Sequence, residues 1–153
     1  MPSLRMNDNV IEIKQVVFGS KMQLQSIALR NAVLREPLGL VFSKEELADE
    51  KLQIHLVAEV KKEIIGVLIL VKINKETIKM RQFAVSTQYQ QKGVGKAIVL
   101  FAENYCRVNN FQEIVLHARE AACNFYLKLG YKKIGAGFEE VGLPHYRMIK
   151  NIG

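Results

Sequence analysis

The sequence is poor in cysteine and proline. Its two cysteines, Cys106 and Cys123, both fall in segments with helical periodicity. Two thiols cannot supply the ligand set of a zinc site, so we expect no metal site and two buried, reduced cysteines. The three prolines are scattered, and no Pro/Gly/Ser-rich linker or internal repeat interrupts the chain. We therefore expect a single domain over residues 1–153, a length that can bury one sizeable core.

The sequence also lacks long apolar runs and long basic runs. No apolar run reaches the roughly 20 residues of a membrane span, and the N-terminal MPSLRMNDNV lacks the apolar stretch of a secretory signal. These absences predict a cytoplasmic protein with no membrane partner. The net charge of +7 indicates an anionic partner. Because the basic residues are dispersed and form no stripe interleaved with aromatic residues, the pattern does not favour nucleic acid as that partner.

The patterns that are present predict a regular order of strands and helices. An alternation of apolar and polar residues at 10–17 predicts a strand, and helical spacing from Gly19 predicts a helix that ends near Pro37. Ser43 followed by Glu46 has the form of a capping box, which predicts a second, short helix. The later patterns predict strands at 52–60, 64–73 and 77–85, a helix at 93–108, a strand at 113–118, a helix at 120–129 and strands at 131–140 and 145–150.

This element order predicts an α+β fold. We expect a mixed, mostly antiparallel central sheet of about six to seven strands, flanked by about four helices. The KKE stretch at 61–63 predicts a tight connection between two antiparallel strands. The strand, helix and strand between residues 78 and 117 form a crossover, so at least one pair of neighbouring strands is expected to be parallel.

Two close glycines, Gly93 and Gly95, stand between a predicted strand and a predicted helix. The first N–H groups of a helix have no partner within the helix, and the helix dipole adds partial positive charge, so such a turn can hold an anion. Glycine lets a phosphate approach the backbone, and Lys92 and Lys96 add charge beside it. The alternative is that the glycines serve only a tight turn. The spacing fits neither a P-loop nor the dinucleotide fingerprint, which would need a third glycine where Ile98 stands.

The same stretch is similar to a motif of a known family. QQKGVG at 90–95 matches the Q/R-x-x-G-x-G/A loop with which the GNAT superfamily of N-acetyltransferases holds the pyrophosphate of acetyl-coenzyme A. The flanking MRQFAVST resembles that family's preceding strand, and NFYLKLGY resembles its later cofactor helix. The resemblance covers most of the chain from about residue 52. It implies a GNAT-type fold and the transfer of an acetyl group from acetyl-CoA to a primary amine of a small molecule or peptide, by direct attack on the thioester.

The resemblance also implies site residues. The cofactor contacts that it implies are Phe83, Ala84, Val85, Gln90, Gln91, Lys92, Gly93, Val94, Gly95, Lys96 and Asn124. Tyr126 matches the family's general acid, which protonates the departing thiolate. The alternative for Tyr126 is core packing, and for Asn124 a solvated helix face. His145 is the first candidate for the general base. The other candidates are His55, His117, Glu59, Glu139, Glu140 and an ordered water.

Several alternatives stay open beside this reading. Arg30 and Arg35 either orient an acidic acceptor or are solvated helix charges, and we favour the second. A GNAT-like module that binds coenzyme A without transferring an acetyl group is the alternative function. An RNA-associated factor is a third reading, which the basic charge suggests. A homodimer is compatible with the resemblance, and the resemblance implies no metal.

Overall fold

Eight strands and four α-helices follow one another in the part of the chain that the computed structural model describes, residues 3–6 and 9–153. Residues 1, 2, 7 and 8, from the N-terminal stretch considered for a secretory signal, lie outside the described residues. The strands are β1 (Ser3–Met6), β2 (Asn9–Val16), β3 (Ile54–Val60), β4 (Glu63–Lys72), β5 (Thr77–Val85), β6 (Glu113–Arg119), β7 (Lys132–Glu140) and β8 (Leu143–Asn151). The helices are α1 (Lys21–Arg30), α2 (Lys44–Ala48), α3 (Val94–Val108) and α4 (Cys123–Lys128). No described helix is long and apolar enough to cross a membrane.

The strands belong to one mixed sheet in the order β1-β2-β3-β4-β5-β6-β8-β7. β5 and β6 pair in parallel, whereas β2 with β3, β3 with β4, and β6 with β8 are antiparallel. These findings confirm the α+β class, the mostly antiparallel sheet and the parallel pair required by the crossover. The sheet has eight strands because Ser3–Met6 pairs with β2. Four residues at a sheet edge are too short to show a clear alternation in the sequence.

The chain forms two compact units. The first consists of residues 1–70 and 82–102, and the second of residues 71–81 and 103–153. β5 and α3 therefore contribute residues to both. Compact units within one chain are not by themselves separate domains, so the single domain stays a prediction.

In the first unit, the core is built on β2, β3 and β4. Every residue of β4 from Ile64 to Leu70 is buried, as expected of a strand that is covered on both faces. Gly66 avoids a clash on this strand, because a Cβ at that position would collide with Ile98 Cδ1 and come within 3.2 Å of the Ala58 Cβ. The predicted tight connection between β3 and β4 is confirmed. Its central residues, Lys61 and Lys62, have φ angles of 48° and 66°.

The helical segment between β2 and β3 begins and ends at identifiable residues. Ser20 caps α1, with its side chain accepting a hydrogen bond from the N–H of Gln23. After α1 the chain continues as a wide helical turn over Asn31–Arg35 and a tight one over Glu36–Leu38. Gly39, with a φ of 72°, then ends the segment. The predicted capping box of α2, which lies beyond it, is confirmed.

Arg30 was wrongly expected to be a solvated helix charge. Its side chain is fully buried, and its guanidinium donates two hydrogen bonds, of 2.7 and 2.6 Å, to the Glu50 carboxylate. The guanidinium also lies 4.5 Å from the centroid of the Phe42 ring. Arg35, by contrast, forms a partly exposed ion pair of 3.3 Å with Glu46. Arg30 therefore joins α1 to the chain just before β3, since Glu50 precedes that strand.

In the second unit, a buried carboxylate joins α3 to the sheet. Glu103 is 1% exposed. It accepts a hydrogen bond of 2.8 Å from the Tyr131 hydroxyl and bonds of 3.0 and 3.1 Å from Lys150 Nζ on β8. Cys106 and Cys123 are buried, free thiols, which confirms the prediction made for them.

Candidate functional site

The end of β5 departs from regular strand geometry. Gln82, directly before Phe83, Ala84 and Val85, has a φ of 54°, which is rare for a residue other than glycine. Ala84 and Val85 are buried, and Phe83 is half-buried. This segment supplies the strand residues that the resemblance assigns to the cofactor.

The loop after β5 is held by its own residues. The N–H of Ser86 donates to the Ile65 carbonyl at 2.8 Å, and the Gln90 side chain donates to the Val85 carbonyl at 2.9 Å. The second bond fixes the loop to the end of β5. Gln91 and Gly93 then adopt φ angles of 60° and 87°, which turn the exposed loop into the start of α3. Gln90 is thus an anchor of the loop as well as a predicted cofactor contact.

The loop ends at the N-terminus of the longest helix, α3. The Gly93 carbonyl accepts the N–H of Ala97 at 3.1 Å, so Gly93 is the residue that caps this helix. The N–H groups of Val94, Gly95 and Lys96 come before that first bond and have no acceptor inside an α-helix. Val94 is 1% exposed and anchors the first turn in the core.

The space beside Gly93 is open. A Cβ built on Gly93 would meet no atom of the described residues within 4 Å. Lys92 Nζ lies 6.0 Å from the centroid of the Tyr89 ring, and the Lys92 side chain is exposed. Backbone N–H groups without an acceptor in the helix, a positive helix end and flanking lysines form an arrangement that can hold a phosphate.

Tyr126 and Asn124 lie in the second unit, on α4. Asn124 is exposed, whereas Tyr126 is 7% exposed. Burial raises the pKa of Tyr126 above the usual phenol range, so its proton is retained throughout the neutral range. The Tyr126 ring packs against the rings of Phe125, at 5.1 Å, and Tyr131, at 5.7 Å. Core packing and a proton-donor role are therefore compatible in the same side chain.

His145 belongs to a cluster in the second unit. His145 is buried, and its Nδ1 lies 2.8 Å from the Leu143 carbonyl. A carbonyl only accepts, so Nδ1 carries a proton and Nε2 has the lone pair when the ring is neutral. His145 Nε2 lies 3.7 Å from one oxygen of Glu140, and His117 Nδ1 lies 3.0 Å from the other. The Phe138 ring contacts both imidazoles.

Three other base candidates have identifiable positions. His55 is buried on β3, where its Nε2 lies 2.9 Å from the Glu50 carbonyl. Glu59 forms an ion pair of 2.6 Å with Lys14. Both are thus engaged in the first unit, and Glu139 is an exposed residue of β7. The structure instead brings together His117, Glu140 and His145, which come from three strands.

The predicted site residues thus fall into two groups. Residues 83–85 and 90–96 lie in the first unit, whereas Asn124, Tyr126 and His145 lie in the second. Sequence reasoning did not group His117 with His145, because 28 residues separate them and no spacing rule links them. The described residues contain no group of three or more His, Cys, Asp or Glu side chains that could hold a metal ion.

The chain is similar to known proteins over most of its length. A family model described as an acetyltransferase (GNAT) domain matches residues 40–152. A solved protein from Lactobacillus plantarum is 22% identical with a TM-score of 0.84, covering 93% of this chain and 98% of that one. An aminoglycoside 6'-N-acetyltransferase solved with coenzyme A is 16% identical with a TM-score of 0.78, covering 92% and 97%. At these identities, the likeness shows the fold.

A curated relative matches a shorter stretch. The protein YyaT of Bacillus subtilis (strain 168) is 33% identical over 81 residues, which are 53% of this chain and 55% of that protein. The chain therefore spans about half the length of this relative.

Proposed function

Because the chain belongs to the GNAT acetyltransferase family, we propose that it transfers an acetyl group from acetyl-CoA to a primary amine of a small molecule or peptide. The observation that carries the proposal is the loop over residues 90–95. It is anchored to β5 by Gln90 and ends at the open N-terminus of α3.

The loop is proposed to bind the pyrophosphate of the co-substrate. The N–H groups of the first α3 turn donate to the phosphate oxygens, and the charges of Lys92 and Lys96 add attraction. Residues 83–85 are proposed to contact the pantetheine arm through their main chain. An N–H group of this segment polarises the thioester carbonyl, which stabilises the negative charge that develops on its oxygen.

Tyr126 is proposed to protonate the departing thiolate. A phenol is protonated at neutral pH, and burial, which raises the pKa of Tyr126, preserves the proton that a general acid must donate. Replacing Tyr126 with phenylalanine should lower kcat by roughly 100-fold, within the usual range for a lost general acid, with little change in coenzyme A affinity. Tyr105→Phe makes the same chemical change on α3 and is the control. Unchanged kcat across the pH range in Tyr126→Phe would leave the tyrosine as core packing.

The cluster of His117, Glu140 and His145 is proposed to supply the general base. His145 was the first candidate, and it is buried with its Nε2 facing the Glu140 carboxylate. His117 donates Nδ1–H to Glu140, which leaves the lone pair of the neutral ring on Nε2, and its side chain is 29% exposed. The His145→Asn and His117→Asn variants are tested separately. The general base is the histidine whose replacement removes the fall in kcat/KM at acidic pH.

The decisive experiment is a thiol-release assay with acetyl-CoA and pooled amines, amino acids and peptides, with acetylated products identified by mass spectrometry. We expect release of coenzyme A that depends on the amine and yields an acetylated amine. Binding of coenzyme A with no product across the whole panel would instead indicate the alternative, a module that binds coenzyme A without transfer.

A further inference from the structure

One face of the sheet in the second unit carries a row of basic side chains. Residues that pair directly across neighbouring strands place their side chains on the same face, and alternate residues along a strand do the same. Lys79 on β5 pairs with Val115 on β6, and His117 on β6 pairs with Arg147 on β8. Since Val115 and His117 are alternate residues of β6, Lys79, His117 and Arg147 share one face.

The opposite face of these strands is the one that packs against α3. Lys150 is three residues from Arg147 on β8, so its side chain points to the other face, where it binds Glu103 of α3. The face with Lys79 and Arg147 is more open. Arg147 is exposed, and Lys79 and His117 are half-buried.

Several charged groups act on Lys79 at this face. Burial lowers the pKa of Lys79, and the positive charges of Arg81 and Arg147 lower it further, while the Glu140 carboxylate raises it. The Lys79 ammonium thus lies in the field of two like charges and of the Glu140 carboxylate, which also accepts a hydrogen bond from His117. A half-buried ammonium beside like charges is unfavourable, and a bound anion would offset that cost.

We propose that Lys79 and Arg147 form a binding site for an anionic group, a carboxylate or a phosphate, carried by the amine that accepts the acetyl group. The inference rests on the proposed function and names the chemical class of its acceptor. The Glu140 carboxylate, at 3.0 Å from His117 Nδ1, marks a place where this face already accommodates a carboxylate of the chain itself. Arg147 supplies a planar, permanently charged fork for carboxylate or phosphate oxygens. Lys79 supplies a second charge two strands away and two residues along the strand, which places the two Cα atoms roughly 12 Å apart at ordinary strand spacing.

The test uses peptide amides that share an N-terminal glycine amine and differ in one charge. The pairs are Gly-Asp and Gly-Asn, Gly-Glu and Gly-Gln, and Gly-phosphoserine and Gly-Ser. The expected result is a kcat/KM at least about tenfold higher for the acidic member, which corresponds to about 1.4 kcal/mol. The carboxylate and phosphate pairs show which anion is preferred.

Variants then assign the preference to these residues. Arg147→Gln and Lys79→Gln should each reduce the ratio of acidic to neutral kcat/KM by about fivefold or more, and Arg147→Glu should reverse it. Lys75→Gln removes the same charge from the exposed turn before β5 and should leave the ratio unchanged. Far-UV circular dichroism confirms that each variant is folded. Equal kcat/KM within each pair, or a preference that survives both Gln variants, would overturn the inference while leaving acetyl transfer established.

A second readout needs no turnover. Equilibrium dialysis of radiolabelled inorganic phosphate is performed with the protein saturated with coenzyme A, so that phosphate sites in the cofactor loop are occupied. Binding that is lost in Arg147→Gln and kept in Lys75→Gln supports the anion site, even if no amine is acetylated and the proposed function fails. If no peptide of the set is acetylated, and phosphate either does not bind or binds equally to the two variants, the result counts against the anion site.

Discussion

The buried ion pair between Arg30 and Glu50 leads to a quantitative prediction about stability. Their side chains are 0% and 2% exposed, and two hydrogen bonds of 2.7 and 2.6 Å join them. Arg30→Met keeps the length of the side chain but removes its charge, which takes two short, charge-assisted bonds from a buried carboxylate. Removing one partner of such a pair costs about 3–5 kcal/mol. Loss of the contact with Phe42 adds about 1 kcal/mol.

Arg35 provides a matched control for this change. It also lies over the Phe42 ring, at 4.2 Å, and also pairs with a glutamate, Glu46, at 3.3 Å. The Glu46 side chain is 45% exposed, so its pair with Arg35 should contribute about 1 kcal/mol or less. Arg35→Met therefore removes the same groups from a solvated setting, and the difference between the two variants isolates the effect of burial.

The assay is urea unfolding followed by far-UV circular dichroism, since the chain has no tryptophan. We expect Arg30→Met to lower the free energy of unfolding by at least about 2 kcal/mol more than Arg35→Met. In the double variant Arg30→Met/Glu50→Leu, much of the stability should return, because neither charge of this pair is then left buried without its partner. Equal losses in Arg30→Met and Arg35→Met, or a double variant less stable than Arg30→Met, would refute the reasoning.

Three further predictions concern the loops and a thiol. Gly93→Ala should raise the Kd for coenzyme A about tenfold or more, as measured by calorimetry, because the alanine Cβ stands at the N-terminus of α3. Gly19→Ala is the control: the φ angles of Gly19 and Gly93 are 83° and 87°, so the strain is similar, and Kd should be unchanged. Lys62→Gly should stabilise the protein to urea by about 0.5–1 kcal/mol, because a φ of 66° disfavours a side chain, and no gain would argue against a left-handed turn. Burial raises the pKa of Cys106 from 9.0 to about 12, so the thiol of the native protein should resist iodoacetamide at pH 9, and rapid alkylation would contradict this. The free energy of unfolding should also fall as pH rises from 9 towards 12, because the thiol ionises more readily in the unfolded chain.

The elements with strong local signals were predictable from the sequence. The amphipathic pattern of α3, the apolar run of β4 and the capping box at Ser43 each depend on residues within one or two turns or along one strand. The parallel pair followed from the crossover rule, since a strand, helix and strand must return to the same sheet. The loop at 90–95 was identifiable because its glycines and Gln90 are adjacent in sequence.

The features that sequence reasoning missed depend on distant residues or on unusual backbone angles. Arg30 and Glu50 are 20 residues apart, and an arginine on a helix is usually solvated, so its burial could be predicted only with the partner in place. The positive φ of Gln82 occurs at a residue type that does not signal it. The register of three strands brings together His117, Glu140 and His145, and this register cannot be determined from a single sequence.

The positions of the basic side chains, which give a net charge of +7, favour small anions over nucleic acid as binding partners. In the first unit, exposed lysines flank the loop that ends at α3, and in the second, Lys79 and Arg147 share a sheet face. Side chains placed only for solubility would be fully solvated, yet burial and like charges lower the pKa of Lys79. Lys79 and Arg147 together can contact few phosphates of an extended polyanion.

We therefore predict weak binding to double-stranded and single-stranded RNA, with a shallow salt dependence. In a filter-binding titration between 50 and 200 mM salt, the affinity should change by roughly tenfold or less, as for one to two phosphate contacts. Coenzyme A provides the comparison. At 150 mM salt, we expect the protein to bind coenzyme A, despite its few phosphates, with a lower Kd than RNA. A loss of RNA affinity of about 1,000-fold over this range would indicate six or more phosphate contacts. That result would favour an RNA-associated factor over an acetyltransferase that uses its basic side chains for small anions.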